Sequence, residues 1–198
     1  FAPRVTAVIG ALVAASVLVC WFLSRNTNPK AAFLLGIAFL LDPLFLQAFT
    51  IGRLDGWAIA FCFGSCWALR DAKKYTVGSK LYIRLLFLAG ASACFAFFVW
   101  PSAALLYPLI IVELLFLVRS SRANSKMITK TFLSFFVGGV ATALLLILPI
   151  APQFFAQFNN ILISFLTNTH APKHEEVSLF ATIRSFVSFL KFTPVMFL

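Results

Sequence analysis

The chain has 198 residues, 62% of them hydrophobic and only 11% charged, with a mean hydropathy of +0.99. That is far more apolar surface than one soluble core can bury, which excludes a water-soluble enzyme or binding module. A formal charge of +10 would suggest nucleic acid in a soluble protein, but here the cations sit in short loops between apolar runs, as topology signals do, and no nucleic-acid partner is expected.

The first apolar run, "VTAVIGALVAASVLVCWFLS" over 5–24, has about the length that spans 30 Å of hydrocarbon as a helix, and it stops at the polar "RNTNPK". A second span is expected from 31 to 49, interrupted by Asp42-Pro43, and a third from Asp55 to about Leu69. The basic loop "RDAKKYTVGSKLYIR" follows. Two further spans, about 85–99 and 102–118, form a pair hinged at Trp100-Pro101, and a sixth covers about 131–150. An outer loop of about 150–178 then leads to "SLFATIRSFVSFLKF", where Arg184, Ser188 and Lys191 share one helical face. No long alternating strands are present to close a barrel. The expected fold is all-α: a multi-pass transmembrane helical bundle of about six spans plus a C-terminal outer-side helix, with 1–198 forming a single transmembrane domain. The chain starts on Phe1 and stops within the apolar "PVMFL", so it is expected to be a piece of a longer protein.

Loop charge orients the bundle. The loops at 25–30, 70–84 and 119–130 hold eleven Lys/Arg residues, whereas the alternate loops hold only Arg53 and Lys173, which assigns the basic loops to the cytoplasm. Arg53, Asp55, Trp100-Pro101 and "THAPKHEE" then share the outer side. Cys20, Cys62, Cys66 and Cys94 lie in apolar runs without adjacent histidines, so neither a zinc site nor a disulfide framework is indicated.

The charges that are not topology signals are the candidate site residues. Asp55, just before an apolar helix, reads as an N-cap favoured by the helix dipole. A cap leaves Arg53 unexplained; an Arg–Asp pair or a shared anionic ligand explains both. Asp42, expected about 12 Å below the outer end of its span, should face the bundle interior or a wet cavity, since facing lipid costs about 2.5–3.5 kcal/mol. It either satisfies donors at the Pro43 kink or lines a substrate cavity. His170 and His174 have a His-x-x-x-His spacing that suits a metal on a helix, but Pro172 opposes a helix there, and no metal site is assigned. Their segment reads as solvated loop or, with Lys173, as a contact for a phosphate-bearing substrate. Glu175 and Glu176 suit the first turn of the next helix. Glu113, six residues before Arg119, is expected to reach the interface or pair with loop cations. Gly138-Gly139 and the small residues around Gly90 are expected to let helices approach closely.

The stretch from "LDPLFLQAFTIGRLDGWAIAFCFGSCWALR" through "LFLAGASACFAFFVWPSAALLYPLIIV" resembles the GT-C integral-membrane glycosyltransferases, especially the protein-mannosyltransferase and aminoarabinose-transferase-like group. There, a span ending in a Pro-containing segment precedes an Arg/Gly-x-Asp turn, and a later helix pair has a turn rich in Pro and small residues, matched by "VWPSAALLYPL". Trp100 stands where that group often has Lys or Arg. The resemblance covers about 35–118. It implies transfer of a sugar from a polyprenyl-phosphate carrier to a lipid, glycan or protein acceptor on the non-cytoplasmic side, in a bacterial plasma membrane in preference to the endoplasmic reticulum. It puts Arg53 and Asp55 at the outer mouth of the site. The group's principal carboxylate belongs to a first outer loop expected upstream of Phe1, so no catalytic base is assigned; no cofactor is assigned either, and a divalent metal, which some members use, stays an open alternative. A secondary transporter, a lipid flippase or a non-catalytic scaffold subunit are the competing readings.

Overall fold

The structure is a computed structural model that describes residues 2–43, 46–47, 52–120 and 125–152. Among these the fold is all-helical. Six helices, α1 (Ala2–Ser24), α2 (Pro29–Leu41), α3 (Asp55–Ala72), α4 (Lys80–Val99), α5 (Tyr107–Ser120) and α6 (Ser125–Ile147), are joined by 3-10 turns at Pro101–Leu106 and, after α6, at Leu148–Ile150. The chain divides into two compact units, residues 1–144 and 145–198; the second is described only through the end of α6 and the turn that follows.

Local chemistry sets the boundaries. After α1, Asn26 takes a left-handed φ of 59°, which asparagine tolerates better than most residues, and Thr27 N–H returns to Phe22 O. Asn28 then caps α2 by accepting from Lys30 N–H at 2.9 Å, and Pro29 takes the first helical position. α2 stops at Leu41, because Asp42 adopts extended backbone (ψ 125°) before Pro43. Leu46 N–H bonds Asp42 O at 2.9 Å, so the chain turns helical again past the break. α3 reaches Ala72, three residues past its expected end at Leu69, and takes in Arg70 and Asp71 of the basic stretch. α4 begins five residues earlier than the expected span, at Lys80, with Ser79 Oγ accepting from Tyr82 N–H at 3.2 Å.

Among the described residues, four helical stretches are long and apolar enough to cross a membrane: Pro3–Ser24, Lys80–Val99, Pro101–Arg119 and Met127–Ile147. Their exposed large hydrophobic side chains are mainly Leu, Ile, Val and Phe, which suit a lipid-facing surface. α2, with 13 residues, rises only about 20 Å. α3 carries three charges, Asp55, Arg70 and Asp71, and is surrounded by protein in place of lipid: it packs on α1, α4, α5 and the Pro101–Leu106 turn.

On α1 the buried residues Ala7, Ala11, Ala14, Leu18 and Trp21 recur at alternating steps of four and three, a seam of small side chains facing α3. Trp21 stacks on Phe63 at 5.8 Å, and Phe61 of α3 stacks on Phe95 of α4 at 5.4 Å. α4 and α6 meet backbone to backbone. A Cβ at Gly90 would collide with Phe135 O, and one at Gly138 with Phe87 O, so both positions need glycine, as expected for close helix approach. Near their other ends Thr131 Oγ donates to Met127 O, leaving it to accept from the Tyr82 hydroxyl at 2.8 Å.

Candidate functional site

α1 and α3 run parallel: Trp57 at the start of α3 donates to Thr6 O near the start of α1 at 2.9 Å, and Trp21 meets Phe63 further along. With α2 and α4 running the opposite way, Arg53, Asp55 and Trp100 collect at one end of the bundle, and Arg25, Arg70 and Glu113 at the other. This separates the two kinds of charge in the way that the loop-charge bias requires.

At the first end, the chain enters α3 through Gly52, whose φ of +80° favours glycine and where a Cβ would come within 3.3 Å of Pro3. Arg53 Nε lies 3.1 Å from Asp55 Oδ2, and its guanidinium carbon sits 5.3 Å from the centroid of the Trp100 ring. Arg53 is 47% exposed and Asp55 20%. Asp55 is not the N-cap. Leu54 holds that position without a side-chain bond, and Asp55 is the first helical residue, close to the positive end of the α3 dipole. Its Oδ1 is shielded from solvent and, among the described residues, has no hydrogen-bond partner. Of the two explanations open for Arg53, the structure therefore contains the Arg–Asp pair.

Trp100 is held firmly in place. Its N–H bonds Ala96 O at 3.0 Å, and its carbonyl accepts from Ala103 N–H at 2.9 Å, so the α4–Pro101 hinge is a closed turn. Behind it, Cys62 Sγ reaches Ala103 O at 3.8 Å, and the Tyr107 hydroxyl donates to Ala93 O at 2.8 Å. The sequence marked Trp100 only as a hinge. Its role under Arg53 depends on bringing together the two ends of an α3–α4 helix pair, and the visible signal was an aromatic residue in the place of an expected cation.

Asp42 is buried at the end of α2. His170 and His174 lie outside the described residues, as do the 153–178 part of the outer loop and the "SLFATIRSFVSFLKF" segment. Among the described residues no three His, Cys, Asp or Glu side chains gather closely enough to hold a metal ion, and the four cysteines are free thiols.

At the opposite end, Glu113 on α5 is 3% exposed. Trp21 Nε1 donates to its Oε1 at 3.0 Å, Arg25 Nε stands 3.7 Å from the same oxygen, and Arg70 Nη1 is 3.8 Å from Oε2. Glu113 thus pairs with cations but does not reach the interface: the bundle carries Arg25 and Arg70 in to it. Nearby, Lys74 pairs with Asp71, whose hydrogen bond and then charge raise the lysine pKa above its ordinary value.

No family model matches this chain, and neither a curated protein nor a solved structure matches it.

Proposed function

We propose that the chain is part of a GT-C-like membrane glycosyltransferase with about six spans, moving a sugar from a polyprenyl-phosphate carrier to a lipid, glycan or protein acceptor on the non-cytoplasmic side. The observation that carries this reading is the Arg53–Asp55–Trp100 cluster, set at the end of the bundle opposite the basic loops. A half-exposed guanidinium on an aromatic face is suited to stabilise charge on a departing lipid phosphate. The unpartnered Asp55 Oδ1, brought out by a small side-chain rotation, is suited to accept from a sugar or acceptor hydroxyl. In this reading both residues bind and orient the substrate, and neither is the base.

The test is transfer of radiolabelled sugar from a polyprenyl-phosphate donor in membranes containing the full-length protein. Arg53→Ala and Asp55→Asn should each reduce product; unchanged product in both variants would sink the assignment. One observation favours transport instead, the buried Asp42 at the broken end of α2, since interrupted helices and buried carboxylates also build transporter sites. Flux of the carrier lipid across vesicles without product, abolished by Asp42→Asn, would select that reading.

A further inference from the structure

Glu113 draws two arginines toward one carboxylate without closing a short bond to either. The Arg25 and Arg70 nitrogens stand at 3.7 and 3.8 Å, beyond the roughly 2.7–3.2 Å of an N–H···O bond, while the short contact to the carboxylate comes from Trp21. Each guanidinium has about five N–H donors in a planar fork. Among the described residues none of these donors makes a hydrogen bond, so both forks remain open. Charge is also unbalanced, with two cations facing one anion. The only other described carboxylate at this end, Asp71, is engaged by Lys74. Arg25 is 37% exposed, with its guanidinium carbon 5.7 Å from the Trp21 ring centroid, and Arg70 is 22% exposed, so a ligand can reach both.

A topology signal needs only charge on the correct side, and lysines anywhere in the loops supply it. Here two arginines from different elements, the α1–α2 turn and the last turn of α3, converge on one buried carboxylate of α5. We propose that Arg25 and Arg70 bind the phosphate of an anionic ligand at the basic end of the bundle, its oxygens taking the open guanidinium forks. Phosphate matches the planar fork in charge and geometry, and basic pockets between transmembrane helices on this side bind anionic headgroups. Glu113 holds the two forks in position and competes with the ligand for them.

The proposal is independent of the glycosyltransferase reading and is tested without any activity assay. The full-length protein, in neutral detergent, is titrated with phosphatidylglycerol, with phosphatidylcholine of the same acyl chains, and separately with inorganic phosphate. Bound ligand is read by native mass spectrometry and thermal shift. Phosphatidylglycerol should be retained and raise Tm, and phosphatidylcholine, whose choline cancels the charge, should do neither. An equal Tm rise with inorganic phosphate would make the free anion the ligand. Glu113→Gln keeps an acceptor for Trp21 and removes the competing charge, so it should tighten binding several-fold, whereas Arg25→Gln should weaken it at least tenfold. Lys80→Gln removes the same charge elsewhere at this end and should leave binding unchanged. Equal retention of phosphatidylglycerol and phosphatidylcholine by the unmodified protein, or equal losses in Arg25→Gln and Lys80→Gln, would overturn the proposal.

Discussion

At the basic end of the bundle Glu113 is buried among Trp21, Arg25 and Arg70, whereas at the other end Asp55 keeps one oxygen on Arg53 and, among the described residues, the other on no partner. The first carboxylate joins three helices, since its partners come from α1 and the turn after it and from α3. The second joins positions two residues apart and reaches beyond its own loop only through Arg53 and Trp100. Distance in sequence between partners thus separates a charge that holds the bundle together from one that the fold can lose, and leaves the latter free to serve a ligand.

The comparison can be broken most forcefully at Glu113. Glu113→Ala strands Arg25, Arg70 and the Trp21 N–H, and removing one partner of a buried ionic group costs about 3–5 kcal/mol. A large drop in detergent Tm and in folded yield is the expected result; a drop below about 1 kcal/mol would show that water replaces the carboxylate. Asp55→Asn should reverse the pattern. Its ion pair is partly exposed, so stability should change by no more than about 1 kcal/mol, while sugar transfer should fall at least tenfold, equivalent to about 1.4 kcal/mol of barrier. A parallel loss of Tm would place Asp55 with Glu113 as a structural charge.

Trp100→Leu probes the link between Arg53 and the hinge. Loss of the ring should cost about 0.5–1 kcal/mol of cation–π attraction and should increase the motion of the Arg53 side chain, visible as a lowered relaxation-derived order parameter of a labelled guanidinium. The smallest effect belongs to Lys74. Its pKa is raised in the folded protein, so the contribution of its bond to Asp71 is complete below the ordinary lysine range, near pH 10, and disappears as pH rises through the folded value. Thermal melts from pH 8 to 11 should show a slightly shallower alkaline decline in Lys74→Gln than in the unmodified protein.

The helical elements were legible because each apolar run is bounded by residues with local rules: Asn26 and Asn28 around the first turn, Pro43 after Asp42, Ser79 before α4. The closeness of Arg53 and Asp55 was legible for the same reason. The central place of α3 was not, since it depends on how many neighbours a helix has, and its end charges made it read as a short span. The sequence points Glu113 toward cations, but its partner Trp21 is 92 residues away, inside the first apolar span. Nothing local distinguishes an apolar residue with a bonded N–H from one without. The useful signal was topological: Arg25, Arg70 and Glu113 each lie near the same end of spans that alternate in direction.

The turn between α1 and α2 has a consequence for how the protein enters its membrane. Residues 25–28 are the whole connection, closed by Asn26 and capped by Asn28, so the two helices form a tight hairpin with Ala32, Gly36 and Phe39 of α2 buried. At 13 residues α2 falls short of the roughly 17 that an independently inserting helix needs. Inserted as the second arm of a hairpin, it would draw its hydrophobic drive from the first arm, the 23-residue α1. Lengthening the connection would cost little in the finished bundle and would show its effect during synthesis, as chains whose second helix fails to integrate.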